Sequence, residues 1–207
     1  MASFAWVLDE GKFLSEEEIQ RLKALVIEKK NLAMKKGTKT AVRDWFVIQL
    51  GLNTGLRVSE MSLLKINDLK IDGERSSLFV RKGKCNKSRN VRISKHFKKI
   101  LLEYLDWKER IKEPSCPDDP LIFSSNSKGH MTTRALQKIF ERSANSAGIT
   151  GHSIHHLRHT YASYLLKASN FNVVLVKEQL GHSSIKTTQI YTQISQASIK
   201  NIKSPLD

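Results

Sequence analysis

Hydrophobic and polar positions in most of the chain recur with the spacing of an α-helix. After Ser15, apolar residues return every three or four positions, and lysines gather toward the far end, where a helix dipole favours cations. Ser15 and Glu18 have the spacing of a capping box, so we predict that a helix starts here. Similar patterns predict helices over residues 40–52, 56–64, 94–112, 133–147, 155–167, 173–180 and 186–193. The expected caps of the later helices are Thr132 or Thr133, Ser153, Asn172 and Ser184, with Gly148 and Gly181 as helix ends.

The pattern changes to short strands between residues 68 and 93. Leu78-Phe79-Val80 and Val91-Arg92-Ile93 are short apolar runs joined by a loop, which predicts a hairpin. Residues 81–99 hold nine Lys or Arg and no acid. A basic hairpin can contact a phosphate backbone and release its counterions, although a solvated loop has the same composition. The candidate DNA contacts here are Arg81, Lys82, Lys87 and Arg89.

Composition adds a partner class. The 207 residues include 35 Lys and Arg against 20 Asp and Glu, a formal net charge of +15. Such an excess favours a polyanionic partner, nucleic acid ahead of a membrane surface, over a merely soluble basic protein. Two isolated cysteines fit neither a disulfide framework nor a Cys-based zinc site. No apolar run approaches the ~20 residues of a membrane span, and the first residues do not form a signal peptide.

We predict a single domain, because no Pro-, Gly- or Ser-rich linker divides the chain. We predict an α+β fold, mainly α-helical, with a small antiparallel β-sheet or hairpin.

Candidate chemistry begins with His155 and Arg158, which lie three residues apart on one predicted helix. His155 and His159 have a metal-ligand spacing, but Arg158 would place a cation beside the ion, and no HExxH pattern or nearby carboxylate completes a site. We therefore expect no metal. Ordinary core or capping histidines remain an alternative on this helix alone. Gly83-Lys84 lacks the spacing of a phosphate-binding P-loop, so nucleotide binding is rejected.

Five segments in order change the picture: TGLRVSE at 54–60, GK at 83–84, HHLRH at 155–159, LGHS at 180–183 and TTQIY at 187–191. Together they closely resemble the boxes of the tyrosine recombinase, or phage integrase, family. The match runs from about Phe13 to Ser195. The resemblance implies the catalytic-domain fold of that family and cleavage of one DNA strand by a tyrosine, through a 3′-phosphotyrosyl link and a free 5′-hydroxyl, with no cofactor.

The resemblance assigns the reacting groups. Tyr191 is the implied nucleophile, although a lone tyrosine is more often a packing residue. Arg57 and Arg158 would clamp the non-bridging phosphate oxygens with forked N–H donors that lysine cannot mimic.

Three further residues have catalytic roles under this resemblance, and Glu60 has a supporting one. His155 would move a proton or orient the phosphate. Lys84 would protonate the leaving 5′-oxygen, although Lys82 and Lys87 are near neighbours and hairpin register is hard to fix from sequence. His182 would donate a hydrogen bond. Glu60 would orient Arg57, whereas His156 and His159 are expected to be structural.

Three departures from the family pattern affect expectations. Ile154 stands where a proline is frequent, and Cys85 where a glycine is frequent, which suggests altered loops without loss of activity. We divide the chain into a lead segment at 1–12, a catalytic domain at 13–195 and a tail at 196–207. Relatives carry a preceding helical domain, so the chain is either a compact member or an excised catalytic domain.

The expected function is site-specific recombination for integration or excision of a mobile element. Alternatives are chromosome dimer resolution, DNA inversion, a non-catalytic DNA-binding relative and a type IB topoisomerase. Expected partners are double-stranded DNA, further copies forming a tetramer on DNA with the tail exchanged between protomers, and accessory DNA-bending proteins, but no membrane. The expected location is the cytoplasm, at the nucleoid.

Overall fold

The computed structural model describes residues 13–71, 75–81, 88–124, 126 and 129–181. Within these residues it forms helices α1 (Glu16–Lys36), α2 (Thr40–Thr54), α3 (Val58–Leu63), α4 (Lys95–Arg110), α5 (Thr133–Ser146), α6 (Ile154–Ala168) and α7 (Val173–Leu180), with a 3₁₀ turn at Ile66–Asp68. The strands are β1 (Leu69–Lys70), β2 (Ser77–Val80), β3 (Arg89–Arg92), β4 (Phe123–Ser124) and β5 (Gly129–His130). The mainly helical α+β prediction is confirmed.

Two small antiparallel sheets accompany the helices. The first has the order β1-β2-β3, with Leu78 opposite Val91, and the second pairs β4 with β5. The predicted pairing of the 78–80 and 91–93 runs is therefore confirmed. Strands β1, β4 and β5 were not predicted, because two residues are too short to show an alternating pattern. The predicted helix at 186–193 lies outside the described residues.

Local capping signals fix most helix ends. The Ser15–Glu18 capping box is present, and Thr132 rather than Thr133 caps α5. Asn172 caps α7, and Gly181 ends it in the left-handed conformation. Helix α2 runs to Thr54, two residues beyond its predicted end.

The prediction for the third helix needs a correction. Arg57 is the N-cap of α3 in extended conformation and precedes the helix, whereas the sequence pattern placed it within the helix. Arg57 and Glu60 still meet, because the N-cap and N3 positions face each other across the first turn.

Helix α2 lies at the centre of the core and contacts α1, α4, α5 and α6. Its Phe46 ring stacks on Tyr104 of α4, with centroids 3.7 Å apart. A Cβ at Gly51 would lie 2.6 Å from the side chain of Leu157, so α2 and α6 approach each other closely at this point. This contact fixes the start of α6, which carries the candidate catalytic residues, against the end of α2.

A second, smaller cluster joins α6 to α7 through Ala162, Leu166, Val176 and Leu180. The C-terminus of α7 is thereby held beside the α2–α3 turn. No helix in the described part of the chain is both long and apolar enough to cross a membrane.

Candidate active site

Three arginines from separate parts of the chain converge on the carboxylate of Glu60. Arg57 donates from Nη1 to Oε1 at 2.9 Å and from its backbone N–H to Oε2 at 2.8 Å. Arg89 forms a two-pronged pair, with Nη1–Oε1 at 2.8 Å and Nη2–Oε2 at 2.9 Å. Arg158 Nη1 lies 3.9 Å from Oε2. Glu60 is therefore the common centre of this group, which we call the arginine cluster.

The turn between α2 and α3 brings Arg57 and Arg158 together. Gly55 ends α2 with φ +61°, and its carbonyl accepts from Arg158 Nη1 at 2.6 Å. A Cβ at Gly55 would lie 2.4 Å from the Tyr161 ring and 2.8 Å from Leu180. Glycine is required here both by the backbone conformation and by the space.

The C-terminus of α7 supplies the remaining acceptors. Leu180 O accepts from Arg158 Nη2 at 2.8 Å, and Gln179 O accepts from Arg89 Nε at 3.2 Å. Carbonyls at a helix C-terminus carry partial negative charge, so two guanidinium groups are well placed there. The last turn of α7 thus orients two members of the arginine cluster.

The Glu60 carboxylate stays ionised. Its burial alone would raise the pKa, but the hydrogen bonds and charge of Arg89, with the backbone N–H and charge of Arg57, lower it to about 2. Three arginines around one carboxylate leave a net positive site, which suits a phosphate that gains negative charge during reaction.

Exposure distinguishes Arg57 from the other two arginines. The side chain of Arg57 is 26% exposed, against 11% for Arg89 and 9% for Arg158. Arg57 is therefore the member of the cluster most open to a ligand, whereas Arg89 and Arg158 are tied into the protein.

The structure gives Arg89, an expected DNA contact, partners that the sequence did not predict. Its guanidinium lies on Glu60 and Gln179 O, not on the surface of the basic run. Nothing in the sequence distinguished Arg89 from its basic neighbours. Arg81, another expected contact, pairs with the buried Asp68 at 2.5 Å and keeps a half-exposed side chain. Lys82 and Lys87 lie outside the described residues.

The histidines at the start of α6 have different surroundings. His155 is exposed in the first turn, where a ligand can reach it. His156 Nδ1 accepts from the backbone N–H of Ser153 at 2.8 Å, and burial lowers the pKa of its ring. His156 thus has a capping position, as the sequence suggested. Within the described ranges, no group of three His, Cys, Asp or Glu residues is placed to hold a metal ion.

Lys84, His182 and Tyr191 lie outside the described residues. Along the chain, Lys84 lies between β2 and β3, and His182 directly follows Gly181 at the end of α7. Of the described neighbours of these positions, β3 carries Arg89, and α7 contacts the arginine cluster through Gln179 O and Leu180 O.

One polar residue in the site was missed by the sequence analysis. Gln179 is almost fully buried, and its side-chain amide binds the backbone of Arg92 on β3. Nothing in the sequence distinguished Gln179 from the polar residues Lys177 and Glu178 that precede it.

Comparison with known proteins gives the family. The model of the phage integrase family matches residues 12–198. The chain belongs to this family of tyrosine recombinases.

Similar proteins include tyrosine recombinase XerC of Oceanobacillus iheyensis, 35% identical over 187 residues, and XerA of Pyrococcus furiosus, 31% identical over 192 residues. The matches cover 89% and 91% of this chain but only 57% and 59% of those proteins. The chain therefore spans little more than half the length of these relatives.

Solved structures show the same fold. XerH recombinase bound to its difH substrate before cleavage aligns with a TM-score of 0.69 at 28% identity, covering 92% of this chain and 53% of that one. XerA recombinase aligns with a TM-score of 0.71 at 26% identity, covering 93% and 64%. The fold is that of a tyrosine recombinase catalytic domain.

Proposed function

We propose that the chain is the catalytic part of a site-specific DNA recombinase that cuts and rejoins strands through a tyrosine. The observation that carries the proposal is the arginine cluster, whose net positive charge is centred on Glu60 and open to a ligand at Arg57. Similarity to XerH, which is bound to difH substrate in its structure, supports double-stranded DNA as the ligand.

In the proposed reaction, the Tyr191 oxygen attacks phosphorus and the bond from phosphorus to the 5′-oxygen breaks. Arg57 contacts the non-bridging oxygens from the exposed side of the cluster, and the more enclosed Arg158 adds its positive charge to stabilise the charge that gathers on them. His155 orients the phosphate or moves a proton, and His182 donates a hydrogen bond. Lys84 gives its proton to the leaving 5′-oxygen. The 5′-hydroxyl of a partner strand then attacks the phosphotyrosine and releases Tyr191, so the phosphodiester energy is conserved.

Covalent trapping tests this function. The protein would be mixed with a supercoiled plasmid that carries the DNA flanking its own gene, in EDTA, and the reaction stopped with detergent. We expect protein-linked DNA with wild type and none with Tyr191→Phe. Equal adduct from both proteins would rule out Tyr191 as the nucleophile. Salt-sensitive DNA binding without any adduct would favour a non-catalytic DNA-binding relative.

The biological role we propose is integration or excision of a mobile element. The second candidate, supported by similarity to proteins named Xer recombinases, is resolution of chromosome dimers. Sequencing the protein-linked DNA from cells separates the two roles. A cleavage site at the border of the element that carries the gene supports the first, and a single chromosomal site away from the gene supports the second.

We also propose assembly into a tetramer on DNA, at the nucleoid, with accessory DNA-bending proteins in some reactions. The domain limits at 13–195 leave residues 196–207 as a tail for exchange between protomers. Deletion of residues 196–207 should abolish pairing of two DNA sites and leave binding to one site intact. Unchanged pairing would exclude the tail exchange.

A further inference from the structure

The side chain of Gln179 joins helix α7 to strand β3. Its Oε1 accepts from the backbone N–H of Arg92 at 3.1 Å, and its Nε2 donates to Arg92 O at 2.6 Å. The same Nε2 donates to the Tyr161 hydroxyl at 3.0 Å. Gln179 is 9% exposed, so the amide is not offered to DNA.

Strand β3 is an edge of its sheet, and an edge strand has unpaired N–H and C=O groups on one side. The Gln179 amide satisfies both groups of Arg92, as one residue of an additional strand would. A side-chain amide carries a donor and an acceptor in one plane without any change of protonation. Glutamate has the shape without the donor, and methionine has a similar length without either.

The backbone of Gln179 makes a second link to the same strand. Its carbonyl accepts from Arg89 Nε at 3.2 Å. Arg89 and Arg92 are the first and last residues of β3, so Gln179 holds both ends of the strand. A strand held at two points cannot rotate or slide relative to α7.

We propose that Gln179 is a positioning residue for strand cleavage. This inference rests on the proposed function. Along the chain, Lys84 lies between β2 and β3, and His182 and Tyr191 follow α7. By locking β3 to α7, Gln179 fixes the relative positions of the two elements from which the segments with the leaving-group acid and the nucleophile continue. A displacement of about 1 Å at such a site is enough to lower a rate by about 100-fold.

A residue that only stabilises the fold would lower cleavage and DNA binding together. The positioning role instead predicts that Gln179→Met lowers the cleavage rate at saturating DNA by at least about tenfold and leaves affinity for DNA within about twofold. Tyr161→Phe is the matched control, because it removes one hydrogen bond from Gln179 and leaves both bonds to Arg92. It should cleave at the wild-type rate.

Gln179→Glu tests the hydrogen bond that Gln179 Nε2 donates to Arg92 O. Its ionised carboxylate turns a second acceptor toward Arg92 O, whereas the protonated acid donates as the amide does. Burial and the contact with a carbonyl favour the neutral form, and the neighbouring Arg89 is already paired with Glu60, so lowering the pH restores the missing bond. The cleavage rate of Gln179→Glu relative to wild type should therefore rise at least about fivefold between about pH 8 and about pH 5.5, and the ratio for Gln179→Met should stay flat.

The experiment combines adduct formation with hydrogen exchange, using the flanking-DNA plasmid for the first. In Gln179→Met the Arg92 amide should exchange at least about tenfold faster than in wild type, with α2 amides unchanged as the fold control. Wild-type cleavage rates in Gln179→Met, or a flat pH ratio for Gln179→Glu, would overturn the positioning role and leave the proposed function standing. Absence of adduct with wild type would overturn both.

Discussion

The Arg89 guanidinium and the Glu60 carboxylate form a two-pronged ion pair, with both N–O distances within 2.8–2.9 Å. The two residues are 29 positions apart, and the pair is almost entirely enclosed. Planar groups matched in this way fix each other's orientation as well as their position. Because Arg57 binds the same carboxylate, Arg89 determines indirectly how the Arg57 guanidinium is oriented.

Replacement of the carboxylate should destabilise the protein. Glu60→Gln keeps the shape but leaves Arg57, Arg89 and Arg158 close together without their common counter-charge. We expect the free energy of unfolding to fall by about 3 kcal/mol, measured by urea denaturation at neutral pH. Glu17→Gln, on the exposed face of α1, is the control and should change it by less than about 0.5 kcal/mol. A loss that small for Glu60→Gln would show that the cluster does not depend on its carboxylate.

Acid should weaken the protein through the same residue. The pKa of Glu60 is lowered from 4.5 to about 2 in the folded protein. A depressed pKa contributes stability that is complete above the unfolded value and is lost as pH falls toward the folded one. Wild type should therefore lose stability between about pH 4.5 and about pH 2 more steeply than Glu60→Gln. Parallel curves of unfolding free energy against pH for the two proteins would contradict this assignment.

Arg89 should behave as a positioning group and not as a phosphate contact. Arg89→Met is expected to lower the cleavage rate while the slope of log affinity against log salt stays unchanged. Arg57→Met, at the exposed member of the cluster, should reduce that slope by about one. Filter binding across a salt series measures both variants. A reduced slope for Arg89→Met would instead show that Arg89 contacts a DNA phosphate, as its position in the basic run suggested.

Gly55→Ala and Gly37→Ala form a matched pair of variants, because the two glycines differ in the space around them. Gly55 and Gly37 both have φ near +65°, but a Cβ at Gly55 would collide with Tyr161 while one at Gly37 meets nothing within 4 Å. Gly37→Ala should cost about 1 kcal/mol through backbone strain alone. Gly55→Ala should cost at least about 2 kcal/mol more in thermal or urea denaturation. Equal losses would mean that the Gly55 turn can relax away from α6.

Short sequence patterns correctly predicted helix caps and helix ends that depend on nearby residues. The Ser15 cap, the Asn172 cap and the end of α7 at Gly181 each depend on residues within four positions, and the structure has all three. The Arg57–Glu60 contact likewise joins residues only three positions apart. The sequence also contained the family segments, which identified the chemistry by resemblance.

Contacts between residues far apart along the chain could not be predicted from local sequence patterns. Arg89 meets Glu60 across 29 positions, and Gln179 meets Arg92 across 87. Which basic residue of the 81–99 run turns inward depends on the register of β3 and on the placement of α7, and neither is encoded in a short pattern. For this reason the sequence did not predict the pairing of Arg89 with Glu60.

The most direct test of the account is the polarity and attachment point of the covalent intermediate. Protein would be trapped on the flanking DNA labelled at either the 5′ or the 3′ end of the cleaved strand, and the linked peptide identified by mass spectrometry after nuclease digestion. A 3′-phosphotyrosyl mechanism predicts that the 5′-labelled fragment is retained on protein, through its 3′ phosphate, on the peptide containing Tyr191. Attachment of the 3′-labelled fragment, or linkage to a peptide without Tyr191, would contradict it.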